Sequence, residues 1–374
     1  MLQSKRSPDL KKAFDTLNHE ILLNKLECYG IRGIAYDIFK SYLFNRKQFV
    51  WIEGESSSLA SINVGVPQGS NIGPLLFLLF INDLGNLKLN GTARLFADDT
   101  ALFYPHKDTN TIINLMENDL STLQQYFNAN LLSLNPTKTK YMIFRSMRKI
   151  LPNHAHPMLG RVTIENVGSF KYLGVNLDST LTWDTHINMI EKRVASYIGI
   201  MWRVRSFVPW HSLLKYYFAY IHSQLNYLIA VWGRAASSHL LKLQSLQNRS
   251  LKIIFKKSPL YSTLALYSDS SHNILPLAFL CDVQTLLFVH DIIRNPKLHH
   301  NIQFSTLNVT RITRQANHLR RIRALTTLGQ KSLQFLGPTK YNQLPDYIKL
   351  IENRTIFNAK LKQFYKQKLN ELFR

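Results

Sequence analysis

Two adjacent carboxylates, Asp98 and Asp99, stand between the apolar arms Ala93–Ala97 and Thr100–Tyr104. Acids this close raise one another's pKa unless a cation neutralises them, and a divalent ion is the natural one. Hard oxygen donors at that density suit Mg²⁺, which takes one or two carboxylates and fills its other positions with water and substrate phosphates. Phosphoryl transfer by two such ions needs one more acid from another strand, and Asp9 in DLKKAFD is the best candidate in the chain. Taken alone, the doublet reads equally well as a solvated hairpin turn, because Asp is favoured at turns for its own local hydrogen bonding. No histidine is in ligand-like company: His19 is isolated, and His299 and His300 form a pair without partners.

The elements that must position these acids follow from hydrophobic spacing. Apolar arms on both sides of the doublet predict a β-hairpin with the acids at its tip. Upstream, Leu22, Leu26 and Tyr29 predict one short helix over 18–29, and Ile34, Ile38 and Tyr42 a second one after Gly30 and Gly33. A strand is expected over Gln48 to Ile52 with a turn from Glu53 to Ser58, then a Gly–Pro loop, GVPQGS, and a buried helix from Gly73 to Leu84. Downstream, Ile112, Met116, Leu120, Leu123 and Phe127 mark one stripe of a long amphipathic helix. Further strands are expected at Tyr141–Phe144, Val162–Glu165 and Tyr172–Asn176. From His186 the spacing of Ile187, Ile190, Val194, Tyr197 and Met201 is that of a bundle helix, and helical stretches continue to about Lys257. Pro259 to Ser271 reads as loop and the remainder as a basic helical tail with Arg311, Arg314, Arg320, Arg321 and Arg323 in one short span.

Composition narrows the partners. The 374 residues carry 46 Lys and Arg against 23 Asp and Glu, a net charge of +23 that attracts polyanions, nucleic acid first. The longest purely apolar run, Pro74 to Ile81, is far short of the roughly 20 residues needed to span a bilayer. Cys28 and Cys281 are the two cysteines, too few for a disulfide framework, which fits a reducing compartment. The first residues, MLQSKRSPDLKKAFD, lack a signal peptide's apolar segment, so secretion is not expected, and the abrupt start suggests a cut chain.

The order of segments says more than any one of them. DLKKAFD at Asp9–Asp15, GVPQGSNIGPLLFLLFINDL at Gly65–Leu84, FADD at Phe96–Asp99, NANLLSLNPTKTKYMIF at Asn128–Phe144 and FKYLGVNLDSTLTWDTHI at Phe170–Ile187 resemble, in succession, the palm motifs of reverse transcriptases. The long GVPQGS form ending in INDL is similar to enzymes of non-LTR (LINE-type) retrotransposons, the jockey-like branch above all. LQSLQNRSLKIIF and GPTKYNQLPDYIK extend the likeness over nearly the whole chain.

The resemblance implies an α+β fold: a palm of antiparallel sheet with helices on one face over residues 1–183, a helical thumb over 184–258 and a basic, mostly helical extension over 259–374. It implies RNA-directed DNA polymerisation, with an RNA template, a DNA primer and deoxynucleotides as partners, no membrane and no clear protein partner. Asp9 and Asp98 would be the principal ligands of two Mg²⁺ ions and Asp99 their supporting neighbour. Phe14 would sit under the sugar and exclude a 2′-hydroxyl, although a core Phe is the bland alternative. Pro67, Gln68 and Gly69 would line the template and nascent pair, Lys138 would protonate pyrophosphate, and Tyr172, Leu173 and Gly174 would form the primer grip. In the helical half, Arg203, Arg205, Lys215, Lys242, Arg249 and Lys252 are expected to contact phosphates, while Trp202, Trp210, Tyr216 and Tyr217 read as core. The expected location is intracellular, nuclear with a cytoplasmic ribonucleoprotein stage.

The sequence departs from the family where Ser4 to Pro8 replace the apolar strand before Asp9, and in lacking the fingers and the upstream endonuclease. A catalytically inactive nucleic-acid-binding remnant of a truncated element is therefore the alternative.

Overall fold

The computed structural model describes residues 2–4 (backbone), 14–67, 69–150, 155–269, 272–298, 302–305 and 318–371. Two compact units divide the chain, residues 1–181 and 182–374.

In the first unit a short strand, β1 (Leu2–Ser4), precedes the helix α1 (His19–Cys28). Asn18 caps that helix, its side-chain oxygen accepting the Ile21 amide at 3.0 Å. Leu22 and Leu26 bury the predicted face, but Tyr29 is exposed. Helix α2 (Ile34–Leu43) packs on the core through Tyr42, as predicted, and through Tyr36, Phe39 and Leu43, while Ile34 and Ile38, expected on the same face, lie in solvent. Aromatic rings bury more area per residue than isoleucine, so the helix settles on its aromatic side.

The single strand expected at Gln48–Ile52 is two nested hairpins. β2 (Arg46–Gln48) pairs with β5 (Ala60–Ile62), and between them β3 (Trp51–Ile52) pairs with β4 (Glu55–Ser56). Glu53 and Gly54, at φ 47° and 96°, form the tight turn, so it is shorter than the predicted Glu53–Ser58. Helix α3 (Gly73–Ile81) starts with Pro74 in its first turn and with the Ser70 hydroxyl accepting the Gly73 amide. Its expected burial holds for Leu76, Phe77, Phe80 and Ile81, whereas Leu75 and Leu78 are exposed. It ends at Ile81, and a 3-10 turn carries on through Asn82–Asn86.

The hairpin strands are β6 (Thr92–Phe96) and β7 (Asp99–Phe103), followed by the long helix α4 (Thr109–Ala129). All five residues of the predicted α4 stripe are buried, each stabilising the fold by roughly 1.5–3 kcal/mol. Next come β8 (Lys140–Ile143), β9 (Met158–Leu159), β10 (Val162–Thr163) and β11 (Glu165–Asn166). The strand predicted over Tyr172–Asn176 is instead a hairpin, β12 (Ser169–Tyr172) with β13 (Val175–Asp178), because Leu173 and Gly174 adopt φ 44° and 84° and reverse the chain. The main sheet runs β11-β8-β1-β7-β6, antiparallel except between β11 and β8. Helices α1, α3 and α4 share one core with it, including Leu22, Phe77, Met116 and Tyr141. The unit is thus α+β.

The second unit is helical. Helix α5 (Asp184–Val204) buries Ile187, Ile190, Val194 and Met201, with Ile198 taking the inward place predicted for Tyr197. α6 (Trp210–Tyr216) continues through a π-helical turn at Tyr217–His222 into α7 (Ser223–Asn226), then α8 (Ile229–Trp232) and α9 (Ser237–Ile254). A one-turn helix, α10 (Leu264–Ser268), interrupts the expected loop. α11 (Leu277–Arg294) packs on α7, α8 and α9. It also packs on α13 (Leu333–Asn342) and α15 (Arg354–Glu371), the short α12 (Thr327–Gln330) and α14 (Asp346–Lys349) completing the unit. Asp282 on α11 ties these parts together, accepting from Arg234 at 2.6 Å and Lys340 at 2.9 Å. Residues 184–258 and the segment after them therefore belong to one compact unit. Among the described residues no helix is long and apolar enough to cross a membrane.

Candidate active site

The β6–β7 hairpin is closed by the pair Phe96–Asp99, leaving Ala97 and Asp98 as its two-residue connection. Ala97 sits at φ 50°, a conformation that two-residue hairpins usually give to glycine. Asp98 thus occupies the turn and Asp99 opens β7, both partly exposed and within reach of solvent ions. Behind them Thr100, Ala101 and Leu102 are buried, which anchors the acids to the sheet interior.

The root of this hairpin is held by a residue that sequence reasoning missed. Asp119, on the buried face of α4, accepts the Asn90 amide at 2.9 Å and side chain at 2.8 Å on one oxygen. Its other oxygen accepts the Gly91 amide at 2.8 Å and the Tyr104 hydroxyl at 2.9 Å. One carboxylate therefore clamps the residues just before β6 and just after β7. Burial and the Asp119 charge push the Tyr104 phenol far up, so it stays a donor. The signal was available: Asp119 lies three residues after Met116 and four before Leu123, on the stripe expected to be apolar.

The segment before α1 docks directly on the GVP loop. The Gly65 amide donates to Leu17 at 2.7 Å and the Val66 amide to Phe14 at 2.8 Å. Buried His19 donates from Nε2 to the Gly65 carbonyl at 2.7 Å, a structural clasp. Phe14 is partly buried, its ring 4.9 Å from that of Phe77, so it fills core space as well as facing the loop. Pro67 is partly buried and Gly69, at φ 79°, is exposed with open space before its α-carbon. Gln68 and Asp9 lie outside the described residues.

Tyr172 and Leu173 are partly buried and Gly174 is exposed at the β12–β13 turn. Burial pushes the Tyr172 phenol up, and the Asp99 charge adds to this while Arg94 opposes it. The expected primer-grip hairpin thus lies in electrostatic reach of the acidic doublet. Lys138 is partly exposed in the Asn135 turn that leads into β8, with β1 between β8 and β7 in the sheet.

Of the expected phosphate contacts, Arg205, Arg249 and Lys252 converge on a cleft of about 840 Å³ in the second unit. Arg203, Lys215 and Lys242 are exposed elsewhere, whereas Lys256 and Lys257, not anticipated, join the cleft. Trp202 also lines it at 48% exposure and Trp210 is half exposed, so neither is the core residue expected; Tyr217 is fully buried and Tyr216 partly so. Arg320, Arg321 and Arg323 are exposed; Arg311, Arg314, His299 and His300 lie outside the described residues.

Among the described residues no group of three or more His, Cys, Asp or Glu is placed to hold a metal. Asp98 and Asp99 supply two hard oxygen donors on adjacent residues, a set that fits Mg²⁺ when water and phosphates complete the shell.

Known proteins resemble this chain in sequence. Residues 6–177 match the family described as reverse transcriptase (RNA-dependent DNA polymerase). The chain is 29% identical, over 66% of its length, to the probable RNA-directed DNA polymerase from transposon BS of Drosophila melanogaster, and equally to the RNA-directed DNA polymerase from mobile element jockey of the same fly. Against the probable RNA-directed DNA polymerase from transposon X-element of that species the identity is 27% over 66% of the chain. The chain spans 28% of the length of the first and of jockey and 27% of the X-element polymerase. Motif order, an α+β first unit with its acids at a hairpin tip, and these matches lead to one conclusion: residues 6–177 form a reverse transcriptase domain, and the chain is similar to the polymerases of jockey-like non-LTR retrotransposons.

Proposed function

We propose that this chain is an RNA-directed DNA polymerase, extending a DNA primer with deoxynucleotides on an RNA template. The observation that carries the proposal is the placement of Asp98 and Asp99 at the tip of a buried-root hairpin, with Tyr172 near enough to feel the Asp99 charge. Asp98, Asp99 and Asp9 would hold two Mg²⁺ ions. Those ions, when bound, lower the pKa of a primer 3′-hydroxyl and neutralise charge on the departing pyrophosphate. The protein's part is positional: Asp119 fixes the hairpin root, and Tyr172, Leu173 and Gly174 hold the primer end close to the acids. Pro67, Gln68 and Gly69 line the nascent pair, where glycine lets backbone approach nucleic acid. Lys138 delivers a proton to pyrophosphate, and Phe14 blocks a 2′-hydroxyl. We assign the palm to residues 1–183, the thumb to 184–258 and a C-terminal extension to 259–374; the boundary between compact units after Leu181 supports the first division.

Primer extension on an RNA template with Mg²⁺ tests the proposal. Asp98→Asn and Asp99→Asn are expected to cut extension by at least about 100-fold while leaving the unfolding midpoint within about 1 kcal/mol of the parent. Template binding without extension by the parent protein would leave a nucleic-acid-binding protein and remove the polymerase.

A further inference from the structure

The cleft of the second unit is more specialised than a basic surface. It lies between the C-terminal ends of α5 and α9 and the segment that follows α9, and Trp202, Arg205, Arg249, Lys252, Lys256 and Lys257 contribute to its walls with no carboxylate among the lining residues. Cations at helix C-termini are favoured by the macrodipole, which accounts for some of this charge. It does not account for an indole left 48% exposed in the same walls. The Arg205 guanidinium lies over that indole, 3.3 Å from the ring centroid, and its Nη1 donates to the Trp202 carbonyl at 2.6 Å. A guanidinium held over an indole makes a stacking platform with a positive charge built in. At about 840 Å³ the cleft is of a size that takes an organic ligand or a short nucleotide segment.

We infer that this cleft binds single-stranded nucleic acid, with an unpaired base stacked on the Trp202–Arg205 platform and backbone phosphates on Arg249, Lys252, Lys256 and Lys257. A duplex would meet the cations but offers the indole no base face along its length, since its bases are already stacked on one another. Lys252 donates to the Pro259 carbonyl and Lys257 sits 5.0 Å from the centre of the Tyr261 ring, so both ammonium groups are already steered. The inference rests on the nucleic-acid reading above but not on catalysis, and it names the strand state that this surface recognises.

Fluorescence anisotropy of the full chain with labelled oligo(U) and oligo(dT) of about 12 nucleotides, and with a blunt duplex of the same length, tests it. Trp202→Ala is expected to weaken single-strand binding about 10-fold and to leave duplex binding within about two-fold, while Trp202→Phe retains most of the affinity. Arg249→Gln with Lys256→Gln is expected to flatten the single-strand salt dependence by about 1.4 in log–log slope. That double variant carries the test if Trp202→Ala fails to fold. Unchanged single-strand affinity in Trp202→Ala, equal weakening of duplex, or an unmoved salt slope in the double variant overturns the inference. Parallel primer extension separates the two proposals. Extension with cleft-independent binding overturns this inference alone, and cleft-dependent binding without extension removes the polymerase reading and leaves the inference standing.

Discussion

Gly65 has no room for a side chain. A Cβ there would lie 2.7 Å from the Asp15 carbonyl oxygen, and its φ of 83° disfavours any L-residue. Gly65→Ala is therefore expected to cost about 2–4 kcal/mol, read as a lowered urea midpoint, because backbone strain and overlap add. The close approach presses the segment from Phe14 to Leu17 onto the loop that holds Pro67 and Gly69. Phe14 belongs to the same interface and has two roles. Phe14→Val should cost about 1–2 kcal/mol, since the smaller side chain no longer fills the space against the Phe77 ring. It should also lower deoxynucleotide over ribonucleotide preference by about 10-fold in single-nucleotide incorporation. Unaltered preference in an active variant would reduce Phe14 to a packing residue.

At the scale of elements, the acidic hairpin is only as rigid as its root. Asp119→Ala strips the acceptor from four donors in a buried site, so it should cost about 3 kcal/mol or more in chemical denaturation. Tyr104→Phe removes one of those bonds and should cost about 1 kcal/mol. If both variants were destabilised by the same small amount, the clamp would not be what holds the hairpin. The acids themselves were legible from sequence, since apolar arms on both sides of an Asp pair make a hairpin tip on local grounds. Asp119 was not recognised, because its partners Asn90, Gly91 and Tyr104 arrive from other elements and only the folded sheet sets them around it. The nested hairpins of residues 46–62 were missed for a local reason: Glu53 takes positive φ, which its residue type does not advertise, whereas the β12–β13 turn was legible only through the motif that Tyr172, Leu173 and Gly174 match.

Over the whole molecule, the second unit should be the acid-sensitive one. Burial, with Arg193 adding to it, pulls His186 down from 6.5 to about 4, and burial with Lys362 does the same to His222. In the unfolded chain both imidazoles take up protons near 6.5, so below that pH the unfolded state binds more protons than the native one. Stability is then fully present above about pH 6.5 and is lost as pH falls toward about 4. Urea midpoints of the parent at pH 7.5, 5.5 and 4.5 should fall in that order, and replacing both histidines by Gln should flatten the trend if the variant folds. A midpoint constant over this range would show that neither imidazole is held neutral by burial.

Chemistry and local pattern were the province of the sequence. The order of five motifs, the acid doublet, the α4 stripe, the positive charge and the helical second half all follow from residue type and spacing, because periodicity and turn composition act within a few residues. Tertiary structure alone decided which face of α2 turns inward, which cations share a cleft, and that Trp202 faces solvent while Tyr217 does not. It also decided that Asp282 joins the segment after residue 258 to the helices before it. The physical reason is common to all of these: burial, close approach and convergence of charge depend on what distant elements bring to the same place, and spacing along the chain carries no record of that.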